Sequence, residues 1–193
     1  MKLVIFDFDE TILRLNVPWN KVKDEIISMA RKSGISIKEN QHLVPMGNEL
    51  SKDPQMKSAI DQIYLKFEMI CAEKKSYQIY PEMLALVKEL KTKGFMLAIV
   101  SGNHSKSIEK ILSDLGLSEK FDFICGRDKV ENGKPSAEPT LMVMSALGAE
   151  KAETLFVGDS IYDSMSAKAA GVAYFKATPG SPADIPKIKA LLR

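Results

Sequence analysis

The feature that most constrains the fold of this chain is a regular alternation of short apolar segments with longer amphipathic segments from Pro81 onward. Short apolar runs predict strands, and apolar residues at three- and four-residue spacing predict helices. The predicted helices are 82–91, 105–115, 139–147 and 162–170, and the predicted strands are 95–100, 121–125, 154–157 and 172–175. This alternation is typical of βα units that build a parallel sheet.

The ends of these segments support the same interpretation. A glycine follows each predicted helix, where a left-handed residue commonly ends a helix, and proline begins two of the helices. The runs at 3–6, 96–100 and 155–157 are apolar throughout, which indicates strands covered on both faces. We therefore expect an α/β fold with a Rossmann-like parallel sheet flanked by helices.

Residues 15–78 depart from this alternation. Amphipathic helices are predicted at 21–32 and 54–73, and we interpret their methionine and aromatic residues as core packing. Residues 40–52 contain Pro45 and Gly47 and are poorly periodic, so we predict an irregular segment there. We expect a small α-helical domain at 15–78, inserted into an α/β domain formed by residues 1–14 and 79–193.

The composition is that of an ordinary enzyme domain. With 193 residues, of which 45% are hydrophobic, the chain can bury a full core, and its net charge of +2 gives no reason to expect nucleic acid or an anionic membrane as a partner. Cys71 and Cys125 have no metal-ligand spacing and are interpreted as buried thiols. No signal peptide precedes the first strand, and no apolar run approaches a membrane span of about 20 residues, so the expected compartment is the cytoplasm. Nothing in the sequence predicts an oligomeric state.

Polar residues that can take part in catalysis or ligand binding directly follow the predicted strands. The first strand leads into Asp7 and Asp9, which we expect on the same side because residues two apart along a strand share a face. Open parallel sheets bind ligands beyond the carboxyl ends of their strands, so the groups that follow other strands are expected at the same place. These groups are Ser101, Gly102, Asn103, Asp159 and Asp163, together with Lys134 from the loop before the helix at 139.

This set of residues suits phosphoryl transfer. A phosphate monoester carries about −1.5 to −2 charges near neutral pH, so it cannot approach several carboxylates unless positive charge intervenes. Magnesium is commonly held by one or two carboxylates plus substrate oxygens, and Lys134 supplies a second, fixed positive charge. We therefore expect Mg²⁺ as cofactor and a small-molecule phosphate ester as substrate.

Four segments of the chain resemble the motifs of the haloacid dehalogenase-like (HAD) hydrolase superfamily. They are Asp7-Phe8-Asp9-Glu10-Thr11, Ser101-Gly102, Lys134-Pro135 and Gly158-Asp159-Ser160-Ile161-Tyr162-Asp163. The resemblance covers the first strand and residues 80 to about 178, and the insertion resembles the helical cap of the phosphoglycolate phosphatase-like branch. It implies a HAD-like core with a cap, and a phosphatase that works through an aspartyl-phosphate.

The resemblance also implies roles for individual residues. Asp7 is the nucleophile, and Asp9 protonates the leaving oxygen and then activates water. The implied phosphate-binding residues are Thr11, Ser101, Gly102 and Lys134. The implied magnesium-binding residues are Asp7, Asp9 through its carbonyl oxygen, Asp159 and, in support, Asp163.

Other functions agree less well with these residues. Dehalogenation is disfavoured, because superfamily members that remove halogen lack an acid at the position of Asp9. A sugar phosphomutase with the same phospho-aspartate stays an open alternative, and so does a phosphorylation-controlled signalling domain. In such a signalling domain the acidic pair and the phosphorylated aspartate come from different strands, whereas here Asp7 and Asp9 both follow the first strand. A phosphate-binding P-loop is excluded, because six residues separate Gly126 from Gly133 and Pro135 occupies the hydroxyl position.

Three residues each allow two interpretations. Glu10 replaces the glycine that is common in these motifs, and it either points away from the site or touches the substrate or cap. His104 follows the second motif and either begins a helix or reaches the substrate. Trp19 is expected to contribute to core packing, the alternative being a functional contact.

Overall fold

The computed structural model describes residues 1–37 and 42–192, without the side chains of residues 44, 45 and 48. In chain order the strands are β1 (Leu3–Phe6), β2 (Leu13–Leu15), β3 (Tyr77–Ile79), β4 (Met96–Val100), β5 (Phe123–Cys125), β6 (Thr154–Gly158) and β7 (Ala173–Lys176). Five of them form a parallel sheet in the order β5-β4-β1-β6-β7, which places β1 in the middle. The predicted α/β fold is confirmed.

Helices flank this sheet and form the inserted segment. In chain order they are α1 (Trp19–Lys32), α2 (Leu43–Leu50), α3 (Pro54–Glu73), α4 (Pro81–Thr92), α5 (Ser105–Asp114), α6 (Glu138–Leu147), α7 (Ile161–Ala170) and α8 (Asp184–Leu191). The helices and strands predicted from residue 82 to residue 175 are all present, with ends shifted by no more than two residues. The α/β pattern of the sequence therefore predicts this part of the molecule closely.

Strand β1 is buried on both faces, as its uninterrupted apolar sequence predicts. Leu3 and Ile5 pack in one cluster with residues of α6 and α7, whereas Val4 and Phe6 pack in the opposite cluster with residues of α4 and α5. All four side chains are fully buried. Burying one such side chain contributes about 1.5–3 kcal/mol, so this strand fixes the centre of the sheet firmly.

Helix α2 shows that the prediction of an irregular segment at 40–52 was wrong for residues 43–50. Pro45 is the third residue of this helix, where a backbone N–H would have no partner within the helix, so the proline is tolerated. Gly47 allows close packing on α3, since a Cβ atom there would lie 3.3 Å from the hydroxyl of Tyr64. Residues 40 and 41 of the predicted irregular segment lie outside the described residues.

Strands β2 and β3 form an antiparallel pair that the sequence did not predict. Leu13 pairs with Ile79, and Leu15 pairs with Tyr77. The chain enters residues 15–78 through β2 and leaves them through β3. The predicted domain boundaries, after residues 14 and 78, both fall within the pair, and the division into two domains stays a prediction.

No helix in the described part of the chain combines the length and the apolar character needed to cross a membrane.

The two thiols are buried and unbridged, as expected from the sequence. Burial raises the pKa of Cys125 to about 11 and raises the pKa of Cys71 above its ordinary value.

Because the thiolate is the reactive form, we expect less than about 0.1 equivalent of thiol in the folded protein to react with a thiol-specific reagent within minutes at pH 8. After unfolding in guanidinium both cysteines should react. Rapid labelling of the folded protein would contradict the buried, protonated state.

Candidate active site

Asp7 lies at the carboxyl end of the central strand. Its backbone N–H continues the parallel pairing by donating to the carbonyl of Val157, 2.9 Å away. The Asp7 carboxylate is almost fully buried, and one oxygen each from Asp7, Asp159 and Asp163 lie within 4.8 Å of one another. Three carboxylates predicted from two separate motifs therefore meet at one point.

Asp163 is held in place by the start of helix α7. Its backbone N–H donates to Ser160 Oγ at 3.2 Å, and its carboxylate accepts from the Ser160 backbone N–H at 2.9 Å, which forms a capping box. The side chain fits beneath the end of β6 only because residue 158 is glycine, since a Cβ atom there would lie 2.6 Å from Asp163 Cγ. The Gly158-Asp159-Ser160 turn thus positions the buried Asp163.

Lys134 joins two of these carboxylates. Its Nζ donates to Asp7 Oδ1 at 2.7 Å and to Asp163 Oδ1 at 2.5 Å. Although burial acts in the opposite direction, the two neighbouring carboxylates raise the pKa of Lys134, so the ammonium stays charged. The cluster therefore contains three carboxylates and one ammonium.

The negative charge of the three carboxylates in this cluster is only partly balanced by the Lys134 ammonium. Burial raises the pKa of Asp7, an effect that the Lys134 ammonium opposes and Asp163 strengthens. Burial, followed by the charge of Asp163, also raises the pKa of Asp159. With one positive charge against three carboxylates, the fully ionised cluster has two negative charges in excess, which a divalent cation would balance.

Asp9 lies in a turn that follows β1 rather than in the strand itself. The turn is closed by the Ile12 N–H, which donates to the carbonyl of Phe8 at 2.9 Å. Asp9 Oδ1 accepts from the backbone N–H of Leu15 at 2.7 Å, and burial raises the pKa of Asp9 to about 6. Asp7 and Asp9 both line the cleft above the sheet, but the Asp9 carboxylate is not part of the described three-carboxylate cluster.

The remaining sequence-predicted residues lie around these carboxylates. The Ser101 hydroxyl donates to Asn103 Oδ1 at 3.0 Å and accepts from the Asn103 backbone N–H at 3.2 Å, which closes the turn after β4. Ser101 and Gly102 line the same cleft as Lys134. Thr11 is buried, and its hydroxyl faces Asp159 Oδ1 at 3.3 Å, so its contact with a phosphate stays a prediction.

This geometry agrees with comparisons to known proteins. A family model described as haloacid dehalogenase-like hydrolase matches residues 4–177. The chain belongs to this family. A stretch of 93 residues is 45% identical to pyrophosphatase PpaX of Halalkalibacterium halodurans, and a stretch of 92 residues is 42% identical to phosphoglycolate phosphatase of Aquifex aeolicus. Each match covers 48% of this chain and 43% of the relative, so these likenesses concern less than half of either protein.

A solved structure extends the likeness over the whole fold. The crystal structure of a HAD phosphatase from Thermococcus onnurineus is 24% identical, covers 98% of both chains and gives a TM-score of 0.71. At this identity the comparison supports the fold alone. The resemblance of four short motifs to the HAD superfamily is thus confirmed at the level of family and architecture.

An ion-pair network that the sequence analysis missed joins helix α3 to the loops that follow β4 and β5. Arg127 follows β5, and its Nε donates to Asp61 Oδ1 on α3 at 2.5 Å. Its Nη1 donates to Glu68 Oε1 on α3 at 2.5 Å and to the carbonyl of Gly102 at 3.2 Å. Arg127 therefore contacts the insertion and the predicted phosphate-binding turn at the same time.

Glu68 is the buried centre of this network. It is 2% exposed, and its second oxygen accepts from the His104 backbone N–H at 3.0 Å and from the Ser107 hydroxyl at 2.8 Å. The signal in the sequence was a charged residue on the apolar face of α3, one position after Phe67 and three before Cys71. A charge at such a position requires partners from another element.

The three residues with open interpretations have distinct surroundings. Glu10 adopts φ 61°, which explains why glycine is common there, and its side chain accepts from the Tyr80 hydroxyl at 2.7 Å and pairs with Arg14. His104 is the N-cap of α5, and its Nδ1 accepts from the Lys106 N–H at 3.2 Å. The expectation of core packing for Trp19 was wrong, because this residue is 42% exposed and lines the cleft.

The buried position of Glu68 leads to a stability prediction. Arg127→Met leaves the Glu68 carboxylate without its cationic partner, and we expect a loss of roughly 3 kcal/mol in the free energy of unfolding, measured with urea. The double variant E68Q/R127M should recover part of this loss, because the buried charge is removed. As a control on the same helix, Lys66→Met breaks an exposed pair with Glu25 and should cost less than about 1 kcal/mol. Equal losses for R127M and K66M would contradict the network's importance.

Proposed function

We propose that this protein is a magnesium-dependent phosphatase that hydrolyses a small-molecule phosphate monoester through an aspartyl-phosphate on Asp7. The observation that carries the proposal is the meeting of Asp7, Asp159 and Asp163 within 4.8 Å, with Lys134 Nζ 2.7 Å from Asp7. The names of two relatives, a pyrophosphatase and a phosphoglycolate phosphatase, support phosphoryl chemistry in this family.

The residues of the cluster fit a magnesium ion. Magnesium prefers oxygen ligands, and the cluster offers three carboxylates whose excess of two negative charges a divalent ion would neutralise. Asp7 and Asp159 would hold it together with the backbone carbonyl of Asp9, and Asp163 would support them. When bound, the ion would withdraw charge from the phosphoryl oxygens and so lower the repulsion between phosphate and carboxylate.

The side chains of the site suggest a two-step reaction. In the first step an Asp7 carboxylate oxygen attacks phosphorus, the bond to the leaving oxygen breaks, and Asp9 gives its proton to that oxygen. In the second step the Asp9 carboxylate takes a proton from water, the water oxygen attacks phosphorus, and the bond to Asp7 breaks. Lys134 and the Ser101-Gly102 turn would bind the phosphoryl oxygens throughout.

We further propose that residues 15–78 serve as a cap over the core formed by residues 1–14 and 79–193. Side chains from both parts line one cleft, with Trp19 and Tyr64 on the insertion and Ser101 and Lys134 on the core. A cap in this position would exclude water and select the leaving group.

The nucleophile proposal predicts that Asp7→Asn lowers the magnesium-dependent hydrolysis of 4-nitrophenyl phosphate by roughly a thousandfold or more. Chelation of the metal with EDTA should also abolish turnover by the wild type, and added Mg²⁺ should restore it. Asp114→Asn, which alters an exposed pair with Lys110, is the matched control and should retain wild-type rates. Full activity of D7N would refute the mechanism, and a requirement for a sugar bisphosphate would favour the phosphomutase instead.

The acid–base proposal predicts an effect that depends on the leaving group. Asp9→Asn keeps an acceptor for the Leu15 N–H but cannot donate an acidic proton, so hydrolysis of an alkyl phosphate should fall by roughly 10²–10⁴-fold. The loss should be clearly smaller for 4-nitrophenyl phosphate, because its leaving group is stable without protonation. The comparison is made in kcat/KM, which covers the steps up to release of the leaving group, and equal losses for the two substrates would argue against Asp9 as the acid.

A further inference from the structure

The cleft above Asp7 is much larger than a phosphoryl group requires. Its volume is about 970 Å³, at the upper end of the range of about 300–1,000 Å³ for sites that hold drug-sized ligands. Away from the carboxylates the wall is largely apolar, with Trp19, Leu43 and Tyr64 from the insertion and Val130 and Tyr162 from the core. The space is therefore suited to a sizeable leaving group with apolar surface.

Trp19 presents an uncovered aromatic surface to this space. It contacts Tyr64 edge to face, with ring centroids 6.3 Å apart and an interplanar angle of 67°. Tyr64 is in turn held by Arg127, whose guanidinium carbon lies 5.4 Å from the centre of the Tyr64 ring. Trp19 as a residue is nevertheless 42% exposed, and Tyr162 on the core side is 44% exposed. Such rings gain most from a partner that covers them with another flat, apolar surface.

The cationic side chains of the cleft are already paired. Among the cleft-lining side chains that the structure describes, lysine and arginine occur as Lys134 and Arg127. Lys134 contacts Asp7 and Asp163, and Arg127 contacts Asp61 and Glu68. A second anionic group on the substrate would have to share these paired cations or reach His42, which also lines the cleft.

The carboxylates of the wall offer a second anion no favourable contact. Asp9 and Glu68 both line the cleft, in addition to Asp7. A carboxylate or second phosphate on the leaving group would lose water on entry without gaining a lysine or arginine that is not already paired among the described residues. A neutral leaving group avoids this cost.

We propose that the substrate is a phosphate monoester of an uncharged alcohol that carries a planar ring, and that the ring packs against Trp19. This inference rests on the proposed phosphatase function, and it narrows that function to one substrate class. Trp19 acts in this scheme as a specificity residue of the inserted segment.

Direct binding is measurable because Trp19 is the sole tryptophan of the chain. The wild-type protein with Mg²⁺ is titrated with three phosphonates, in which a carbon–phosphorus bond prevents hydrolysis: benzylphosphonate, 4-carboxybenzylphosphonate and butylphosphonate. We expect benzylphosphonate to change the tryptophan emission and to bind roughly tenfold more tightly than the other two. Tighter binding of the carboxylated compound, or binding of benzylphosphonate without a change in emission, would overturn the proposal.

Turnover provides a second, independent readout. The wild type should hydrolyse benzyl phosphate with a kcat/KM at least about tenfold above that for 4-carboxybenzyl phosphate, since the two differ by one carboxylate.

Trp19→Ala should lower kcat/KM for benzyl phosphate about fivefold, mainly through KM. Trp19→Arg places a cation at the wall and should reduce the preference for the neutral ester. Leu141→Ala, at a residue of α6 that is exposed outside the cleft, is the control and should match the wild type.

The two experiments separate failure of this inference from failure of the proposed function. Turnover that depends on Asp7 but favours the carboxylated or a ring-free ester would overturn the substrate class and leave the phosphatase in place. Binding of benzylphosphonate at Trp19 without phosphate release from any ester would refute the phosphatase and retain the ring site. Absence of both binding and turnover would refute both.

Discussion

The contact of Lys134 with Asp7 and Asp163 is the interaction on which the site depends. The three residues come from the loop before α6, the end of β1 and the first turn of α7. A buried ammonium requires negative partners, and two buried carboxylates require a positive one, so each of these segments is held in place by the other two. The same contact leaves the cluster short of positive charge, and the proposed divalent cation would supply it.

The sequence predicted the fold well where the physical signals were local. The runs at 3–6, 96–100 and 155–157 are apolar at every position because helices cover both faces of the sheet, and the groups that follow them converge because parallel strands end at one edge. This is why Asp7, Lys134, Asp159 and Asp163 could be assigned to one place without a structure. The expectation for Asp9 was less accurate in detail, since alternation along a strand no longer applies in the turn after Phe6.

The features that were missed depend on contacts between distant segments. Helix α2 has a proline as its third residue, and α8, which was also not predicted, has Pro186 in the same position, so a residue that usually interrupts helices obscured both. The role of Arg127 could not be inferred, because its partners Asp61 and Glu68 are about 60 residues away in the sequence. Trp19 was expected to contribute to core packing, whereas its exposure follows from the open cleft beside α1 and α3.

The buried Glu68 also determines where the inserted segment is attached to the rest of the molecule. Helix α3 lies within residues 15–78, yet Glu68 accepts hydrogen bonds from the first turn of α5 and from Arg127. Separating α3 from α5 would leave the Glu68 charge without these partners, so the contact opposes such a separation. The segment is therefore anchored through α3, in addition to the strand pair at its two ends.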